Sequence, residues 1–340
     1  MVANKGYIDA DGHVFDGGAY RRYIEPPYDK RQGFTVSGDS FDRGMNGAID
    51  QFMDTTADVW LEVLDRGGLE STVLFPTSGL SVGFIREPDF AAAFCRAYNN
   101  YMSEEFIKVS PRLRAVAILP LQDVDEAVVE LRRAVTELNM SGAMLATDGP
   151  WVLGDPKFDP LYAEAERLGT MVGLHAGGSL RGRGFEEYLI NRFIQSHTLA
   201  HPGAQMRHMV SMVLEGVPEK FPDLRIAYLE AGCTWVPFLM DRMDENFEFR
   251  GYKEAPLLTK LPSEYVASPN IFVACEPEER LLPETLKLLG EDSVIYASDW
   301  PHWDGSYPES LFELEAREDL TPEQKRMILI DNPKRLYGLD

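Results

Sequence analysis

The chain has 340 residues, 44% of them hydrophobic, and a formal net charge of −22. This length suits one large α/β barrel with insertions or two ordinary domains. The acidic balance disfavours nucleic acid and anionic membrane surfaces as partners, because both require basic patches. The three cysteines form no CxxC pair and no apolar run is long enough to span a membrane, so we expect a cytoplasmic protein that acts on a small molecule.

Eight short, β-rich segments are predicted to be strands: Gly6–Asp9, Ser71–Phe75, Leu113–Leu119, Ala143–Thr147, Met171–His175, Arg225–Glu230, Asn270–Glu276 and Ser293–Ser298. Helical patterns fall between nearly all of them. This alternation predicts a (β/α)8 TIM barrel with its helices outside. A doubly wound open sheet is the alternative, but no GxGxxG or GxxxxGK[ST] motif occurs at a strand–helix junction. We find no repeat or linker and expect a single domain over residues 1–340.

The predicted helices are Thr56–Arg66, Asp89–Val109, Asp125–Asn139, Phe158–Leu168, Trp235–Phe249, Pro283–Leu289 and Thr321–Ile330. Two connections are unusually long, Val14–Asp54 after the first strand and Ala176–Pro202 after the fifth. Loops that follow strands lie on the C-terminal face of a barrel, where active sites are built. We therefore expect both loops to act as lids or as walls of a substrate pocket.

Acidic and histidine side chains follow three of the predicted strands. Asp11 and His13 follow the first strand, His175 ends the fifth and Asp299 ends the eighth. Each has an ordinary explanation on its own, such as a turn, a hydrogen-bonded histidine or a helix cap. Side chains two residues apart in extended backbone point the same way, so Asp11 and His13 can reach one ion. Together, these strand ends predict a divalent metal site.

Further polar residues lie near the same predicted strand ends. Glu230 closes the apolar strand RIAYLE, where a carboxylate is costly unless it is paired or metal-bound, so it is a candidate ligand or acid–base group. His201 precedes Pro202 at a predicted helix start and can face the pocket. His302 follows Asp299 by three residues and is expected to orient it or to line the pocket. Glu276 is left open between a substrate contact and a salt-bridge partner.

Arginines in the two long loops are candidate clamps for a carboxylate-bearing substrate, because a guanidinium binds a carboxylate through two parallel hydrogen bonds. Most of them are nevertheless expected to be ordinary surface residues. They are Arg21, Arg22, Arg43, Arg181, Arg183 and Arg192.

The chain resembles the amidohydrolase-related family, in the branch that includes aminocarboxymuconate-semialdehyde and resorcylate-type decarboxylases. The resemblance covers nearly the whole chain and is carried by DADGHV (Asp9–Val14), LHAGG (Leu174–Gly178), HPGAQM (His201–Met206), FPDLRIAYLEAGCTWVPFLMDRMDE (Phe221–Glu245), SDWPHWDG (Ser298–Gly305) and NPKRLYGL (Asn332–Leu339). It implies a TIM barrel with a divalent metal held by Asp11, His13, His175 and Asp299.

One position departs from the family pattern. The characterised decarboxylases carry a histidine at the end of the sixth strand, where this chain has Glu230. With His201 nearby in sequence, Glu230 would extend the ligand set to a second ion. Some relatives with dinuclear iron or manganese sites are thioesterases or oxygenases.

The first functional expectation is a metal-dependent hydrolase that attacks a carbonyl of a small, carboxylate-bearing substrate. One or two zinc, manganese or iron ions would lower the pKa of bound water, Asp299 and Glu230 would move protons, and His302 would orient them. The alternatives are a non-oxidative decarboxylase, a dinuclear Fe/Mn oxygenase or thioesterase, and a non-catalytic subunit of a hetero-oligomer. By analogy, we expect a homo- or hetero-oligomer of related barrels.

Overall fold

A computed structural model describes residues 3–30, 55–176 and 193–339. Most of the predicted loop after the first strand, and most of the one after the fifth, lie outside these residues. The candidate clamps Arg43, Arg181, Arg183 and Arg192 also lie outside them. Among the described residues, none of the helices combines the length and the apolar character needed to cross a membrane.

Parallel strands form the centre of the described structure: β1 Tyr7–Val14, β2 Leu69–Pro76, β3 Leu113–Ala115, β4 Ala117–Ile118, β5 Gly142–Ala146, β6 Met171–His175, β7 Arg225–Tyr228, β8 Ile271–Cys275 and β9 Val294–Tyr296. They pair in chain order, as β1–β2–β3 and β4 through β9. Strands covered on both faces consist almost wholly of buried residues, as β5, β6 and β8 do. All eight predicted strands occur, and the predicted TIM barrel is confirmed.

Two features join these strands into one barrel. β3 and β4 are the halves of one predicted strand, and around Val116 its backbone bonds to both neighbours: Val116 N donates to Leu74 O (3.2 Å), and Ser141 N donates to Ala115 O (2.9 Å). At the other junction, His13 N donates to Trp300 O (2.7 Å) and Asp299 N donates to Asp11 O (3.0 Å). The second junction therefore carries three of the predicted site residues.

The α-helices of the described residues are α1 Ala57–Gly67, α2 Pro88–Met102, α3 Val124–Thr136, α4 Asp159–Arg167, α5 Phe193–Leu214, α6 Val217–Lys220, α7 Val236–Glu254, α8 Pro262–Val266, α9 Leu282–Leu289, α10 Glu309–Ala316, α11 Pro322–Arg326 and α12 Asn332–Tyr337. Side chains cap several starts: Thr56 accepts from Val59 N at α1, and Asp123 accepts from Asp125 N and Glu126 N at α3. The helices surround the strands as the alternation predicted.

Several predicted boundaries near the site are wrong. β7 ends at Tyr228, so Glu230 lies after the strand rather than closing it. β1 does not end at Asp9 but runs to Val14, so Asp11 and His13 lie within the strand rather than after it. The pairing register with β2 shifts between Asp9 and Gly12, and the strand buries polar side chains. Because buried polar residues are unusual in a strand, the sequence pattern predicted a loop here. His201 does not open a helix, because α5 starts upstream at Phe193 and Pro202 lies inside it.

Candidate metal centre

Asp11, His13 and His175 converge at the C-terminal end of the barrel. His13 Nε2 lies 3.2 Å from His175 Nε2 and 3.3 Å from Asp11 Oδ1, and His175 Nε2 lies 3.3 Å from Asp11 Oδ2. All three residues are fully buried. Their ligand atoms are close enough together to surround one metal ion.

The donor set of this cluster fits a divalent cation. Neither carboxylate oxygen of Asp11 has a hydrogen-bond partner among the described residues. Burial alone would raise the pKa of Asp11, but the adjacent His175 and His13 lower it, so the carboxylate stays charged. An unsatisfied buried carboxylate costs several kcal/mol unless a cation or donor meets it.

Hydrogen bonds orient both imidazoles toward Asp11. His175 Nδ1 lies 2.9 Å from Ala176 O, so this nitrogen carries a proton. Burial alone would lower the pKa of His175, but Glu230 and Asp11 raise it to about 9, and a metal ion at Nε2 would displace the proton there. His13 Nδ1 lies 3.2 Å from Thr77 Oγ1. Burial, with His302 nearby, lowers the pKa of His13 to about 4, which keeps that ring neutral. Neutral imidazole is the form that binds a metal.

Asp299 and His302 form a closely bonded pair beside this cluster. Asp299 Oδ1 lies 2.5 Å from His302 Nδ1 and 3.4 Å from His13 Nε2. Burial raises the pKa of Asp299 to about 7, and Glu230 adds to the effect, while His302 opposes it. The backbone of Asp299 is left-handed, with φ +51°, although it is not a glycine. Such strain persists only where surrounding contacts enforce it.

Glu230 lies among three histidines and also has a left-handed backbone, with φ +54°. Its Oε2 is 3.2 Å from His175 Nδ1 and 3.3 Å from His201 Nδ1, and its Oε1 is 3.5 Å from His302 Nδ1. Burial alone would raise the pKa of Glu230, but His201 and His175 outweigh it and hold the pKa well below its usual range. Glu230 is therefore an anion in this arrangement.

Two buried or half-buried carboxylates hold the strained turns, and sequence reasoning missed both. Asp9 accepts hydrogen bonds from Thr72 Oγ1 (2.7 Å), Ser298 N (2.8 Å) and Ser298 Oγ (2.9 Å). Ser298 is the residue directly before Asp299. Asp9 appeared in the sequence only as part of the DADGHV motif. Its bonds cross the barrel junction between β1 and β9, which the sequence does not reveal.

Glu279 fixes the turn that follows β7. Its carboxylate accepts from Cys233 N (3.0 Å), Thr234 N (2.9 Å), Thr234 Oγ1 (2.8 Å) and Glu276 N (3.1 Å). Gly232 has φ +63°, and a Cβ there would lie 2.6 Å from Glu279 Oε1. Glycine is therefore required for the close approach that holds Glu230 in place.

The described structure brings all the predicted site residues to one end of the barrel: Asp11, His13, His175, His201, Glu230, Asp299 and His302. Their roles as ligands or catalytic groups stay predictions. His197 pairs with Asp304, Nε2 to Oδ2 at 3.1 Å, on the rim of the same site. Arg21 and Arg22 are exposed, and Arg22 pairs with Glu105 (2.6 Å), so a role as substrate clamps stays a prediction.

A parallel barrel with buried imidazole and carboxylate groups at its C-terminal end defines the chain as an enzyme of the metal-dependent barrel class. A family model described as Amidohydrolase matches residues 8–339, and the chain belongs to that family. The resemblance predicted from the sequence is therefore confirmed.

Curated relatives of the chain are decarboxylases. A gamma-resorcylate decarboxylase from Rhodococcus jostii is 29% identical over 256 residues, 72% of this chain and 77% of the relative. A 2-amino-3-carboxymuconate-6-semialdehyde decarboxylase from Dictyostelium discoideum is 24% identical over 285 residues, 83% of this chain and 77% of the relative.

A solved structure shares the fold over nearly its whole length. It is a dihydroxybenzoic acid decarboxylase from Polaromonas sp. JS666 with bound manganese and the inhibitor 2-nitroresorcinol. The two chains superpose with a TM-score of 0.74 at 19% identity, covering 98% of this chain and 97% of the other. At this identity the likeness establishes the fold.

Proposed function

We propose that this protein is a metal-dependent, non-oxidative decarboxylase of a small carboxylic acid. The observation that carries the proposal is the buried Asp11–His13–His175 cluster, whose carboxylate oxygens have no hydrogen-bond partner in the described structure, beside the Asp299–His302 pair. The curated relatives are decarboxylases, so they favour this alternative over the hydrolysis that we expected first from the sequence.

Asp11, His13 and His175 would hold the divalent ion. Two imidazole nitrogens and a carboxylate suit manganese, zinc or iron, and manganese is the ion named for the Polaromonas structure. When bound, the ion supplies positive charge that holds and polarises substrate oxygens. Asp299 and Glu230 remain alternative ligands, and Glu230 with His201 remains a candidate for a second ion.

Decarboxylation needs one proton at the carbon that loses its carboxylate. We assign this proton to Asp299, because it lies beside the cluster, lines the adjacent cavity and shares a hydrogen bond with His302. Protonation of the carbon forms a C–H bond, the C–C bond then breaks to release CO₂, and its electron pair returns to the substrate. His302, held at Thr77 Oγ1 through Nε2 (3.3 Å), keeps the Asp299 carboxyl oriented during this transfer.

Isotope tracing distinguishes decarboxylation from the other reactions. We expect the manganese-loaded enzyme, given a panel of aromatic carboxylic acids that includes 2,6-dihydroxybenzoate, to release CO₂ and to place one solvent deuterium on the product carbon in D₂O. We expect no oxygen from H₂¹⁸O in the product and no O₂ consumption. Hydrolysis of esters, amides or lactones with ¹⁸O incorporation, in the absence of CO₂ release, would restore the hydrolase assignment, and O₂ uptake would indicate an oxygenase.

A further inference from the structure

A single buried amide joins α5 to the ends of two neighbouring strands. Gln205 lies inside α5 and is fully buried. Its Nε2 donates one hydrogen bond to Leu174 O (2.8 Å) and a second to Leu229 O (2.8 Å). These two carbonyl groups directly precede His175 and Glu230, which are both candidate site residues. One side chain therefore holds the backbone that carries both of them.

Gln205 bonds at the place where the pairing of β6 with β7 ends. The last residues in register are Leu174 and Tyr228, and Leu229 N still donates to Leu174 O (3.2 Å). The next residue, Glu230, has a left-handed backbone that cannot continue the strand. Because the two N–H groups of the amide bond one carbonyl on each strand end, the relative position of these ends depends on α5 as well as on the sheet.

The side chains that follow the two bonded carbonyls contact each other. His175 Nδ1 lies 3.2 Å from Glu230 Oε2, and His175 Nε2 lies 3.3 Å from Asp11 Oδ2 in the candidate metal centre. A carboxylate at the outer nitrogen of a metal-binding imidazole orients the ring and makes it a more basic ligand. The separation of His175 and Glu230 therefore affects how well His175 binds an ion.

The same face of α5 contacts Glu230 a second time. His201 lies four residues before Gln205, and side chains at this spacing lie on one face of a helix. His201 Nδ1 lies 3.3 Å from Glu230 Oε2, whereas Gln205 bonds the carbonyl group just before Glu230. This helix face thus holds both the backbone and the carboxylate of the strained residue.

The amide of Gln205 is used at one end only. Its Oε1 is buried and has no hydrogen-bond partner among the described residues, which is costly for a buried acceptor. The opposite orientation of the amide would turn Oε1 toward two carbonyl oxygens, so these two acceptors fix it. Asn99 is a buried amide that uses both ends, because Nδ2 donates to Ile118 O (3.0 Å) and Oδ1 accepts from Ile118 N (2.9 Å). The contribution of Gln205 is therefore its two donated bonds beside the site.

We propose that Gln205 is a positioning residue, which sets the separation of His175 and Glu230 and thereby the affinity of the candidate centre for a divalent ion. It acts through the backbone of the two strand ends and gives the HPGAQM motif (His201–Met206) a role at the site. The effect on turnover rests on the proposed decarboxylation, whereas the effect on ion binding rests on the candidate metal centre alone.

Removal of the amide tests this role. Gln205→Met keeps the length of the side chain and loses both donors. Asn99→Leu is the matched control, because Asn99 is also fully buried on a helix, and its partners Ile118 and Glu130 are not candidate site residues. We expect urea denaturation to show both variants destabilised. Only Gln205→Met should bind manganese at least tenfold more weakly in calorimetry. At saturating manganese its kcat should fall, with little change in KM.

A measurement on the wild type does not depend on the folding of a variant. Zinc, which is diamagnetic, is added to the ¹⁵N-labelled protein, and the side-chain amide resonances of Gln205 and Asn99 are followed by NMR. We expect the resonances of Gln205 to shift on zinc binding, because an ion that binds His175 acts on the backbone bonded to this amide. The resonances of Asn99 should stay in place.

Equal manganese affinity in Gln205→Met and the wild type would overturn the inference, as would resonances of Gln205 that do not respond to zinc. An equal loss of affinity in Gln205→Met and Asn99→Leu would also overturn it, because affinity would then follow stability. CO₂ release by the wild type together with any of these results contradicts the inference alone. The expected difference in affinity without CO₂ release from any acid contradicts the proposed function alone.

Discussion

At the scale of single residues, Asp11 is the side chain on which the candidate metal centre depends most. It is buried within β1 between the Nε2 atoms of His13 and His175, both 3.3 Å from its oxygens. Its oxygens have no hydrogen-bonding partner in the described structure. The residue therefore contributes charge to the site and little to the hydrogen bonding of the fold.

We expect Asp11→Asn to lower manganese affinity at least tenfold, because an amide offers one neutral oxygen in place of an anion. Asp16→Asn is the control: Asp16 is also buried near the end of β1, but it is bonded to the Tyr98 hydroxyl (2.8 Å) and lies outside the cluster. Calorimetry and elemental analysis measure the binding. Equal manganese affinity in both variants would show that the ion, if any, is held elsewhere.

Glu230 decides between one ion and two. Its Oε2 contacts His201 and His175, but these residues do not form a compact ligand group with it in the described structure. We expect about one manganese per chain in both the wild type and Glu230→Gln, with turnover reduced at least a hundredfold in the variant. Elemental analysis checks the first number and CO₂ release the second. About two ions in the wild type and one in the variant would instead establish the dinuclear reading.

The sequence predicted the side chains of the site better than the contacts that hold them. Asp11, His13, His175 and Asp299 could be found because each lies at or near the end of an apolar strand. Asp9 and Glu279 could not, because each acts on a turn that belongs to another part of the chain. Pairings of this kind depend on barrel closure and on loop conformation, which periodicity does not encode.

At the scale of elements, the turn after β7 combines a strained Glu230 with a tightly packed Gly232. Glu279 reaches this turn from the segment after β8 and accepts hydrogen bonds there from Cys233 N, Cys233 Sγ, Thr234 N and Thr234 Oγ1. The turn and its anchor therefore form one unit, and Glu230 takes its position from it. A change in the backbone of the turn should affect both stability and activity.

Gly232→Ala should destabilise the protein by about 2–3 kcal/mol, from left-handed backbone strain together with the contact to Glu279. Gly169→Ala is a matched control, because Gly169 has φ +61° but nothing within 4 Å of an added Cβ. It should cost only about 1 kcal/mol. Urea denaturation compares the two free energies of unfolding. Equal losses would mean that the turn yields to the added methyl group at no cost.

His208, buried inside α5, should make the stability of the protein depend on pH. His208 Nδ1 accepts from Leu153 N (3.1 Å), and its Nε2 lies 3.1 Å from Thr147 O. Burial, with Arg207 adjacent, lowers the pKa of His208 to about 3. Between about pH 6.5, the ordinary pKa of histidine, and about pH 3, His208 is therefore protonated in the unfolded chain but neutral in the folded one.

We expect the contribution of His208 to the free energy of unfolding to fall as pH decreases below about 6.5, and His208→Gln to remove that contribution. The quantity to follow is the stability difference between wild type and variant, measured by urea denaturation at several pH values. It should be largest at neutral pH and shrink toward pH 4. A difference that stays constant with pH would exclude His208 as the titrating group.

At the scale of the whole molecule, the predicted alternation of strands and helices was right for the barrel. It was wrong where polar residues are buried, as in the second half of β1, and where a proline lies inside a helix, as in α5. The predicted helix Asp89–Val109 is α2 followed by the π-helical turn Ser103–Ile107. A hydrophobic pattern detects the burial of apolar faces, so it does not predict a strand that buries a polar site.

Because the candidate centre lies where β1 meets the segment after β9, metal binding should stabilise the closed barrel. An ion at a hundred times its dissociation constant adds about 2.7 kcal/mol to the free energy of unfolding. We expect manganese to raise the Tm and a chelator to reverse the change, as followed by calorimetric melting. Asp11→Asn should abolish the shift. If manganese does not change the Tm of the wild type, metal binding does not stabilise the closed barrel.

The same junction has a consequence for biosynthesis. His13 and Asp11 are made early, but the backbone groups that hold them, Trp300 O and Asp299 N, are made hundreds of residues later. The Tyr337 hydroxyl, which donates to Ala10 O (2.5 Å), comes later still. A chain on the ribosome therefore carries unfixed ligands until the segment with Trp300 emerges. We therefore expect the metal to be captured only once that segment has been made.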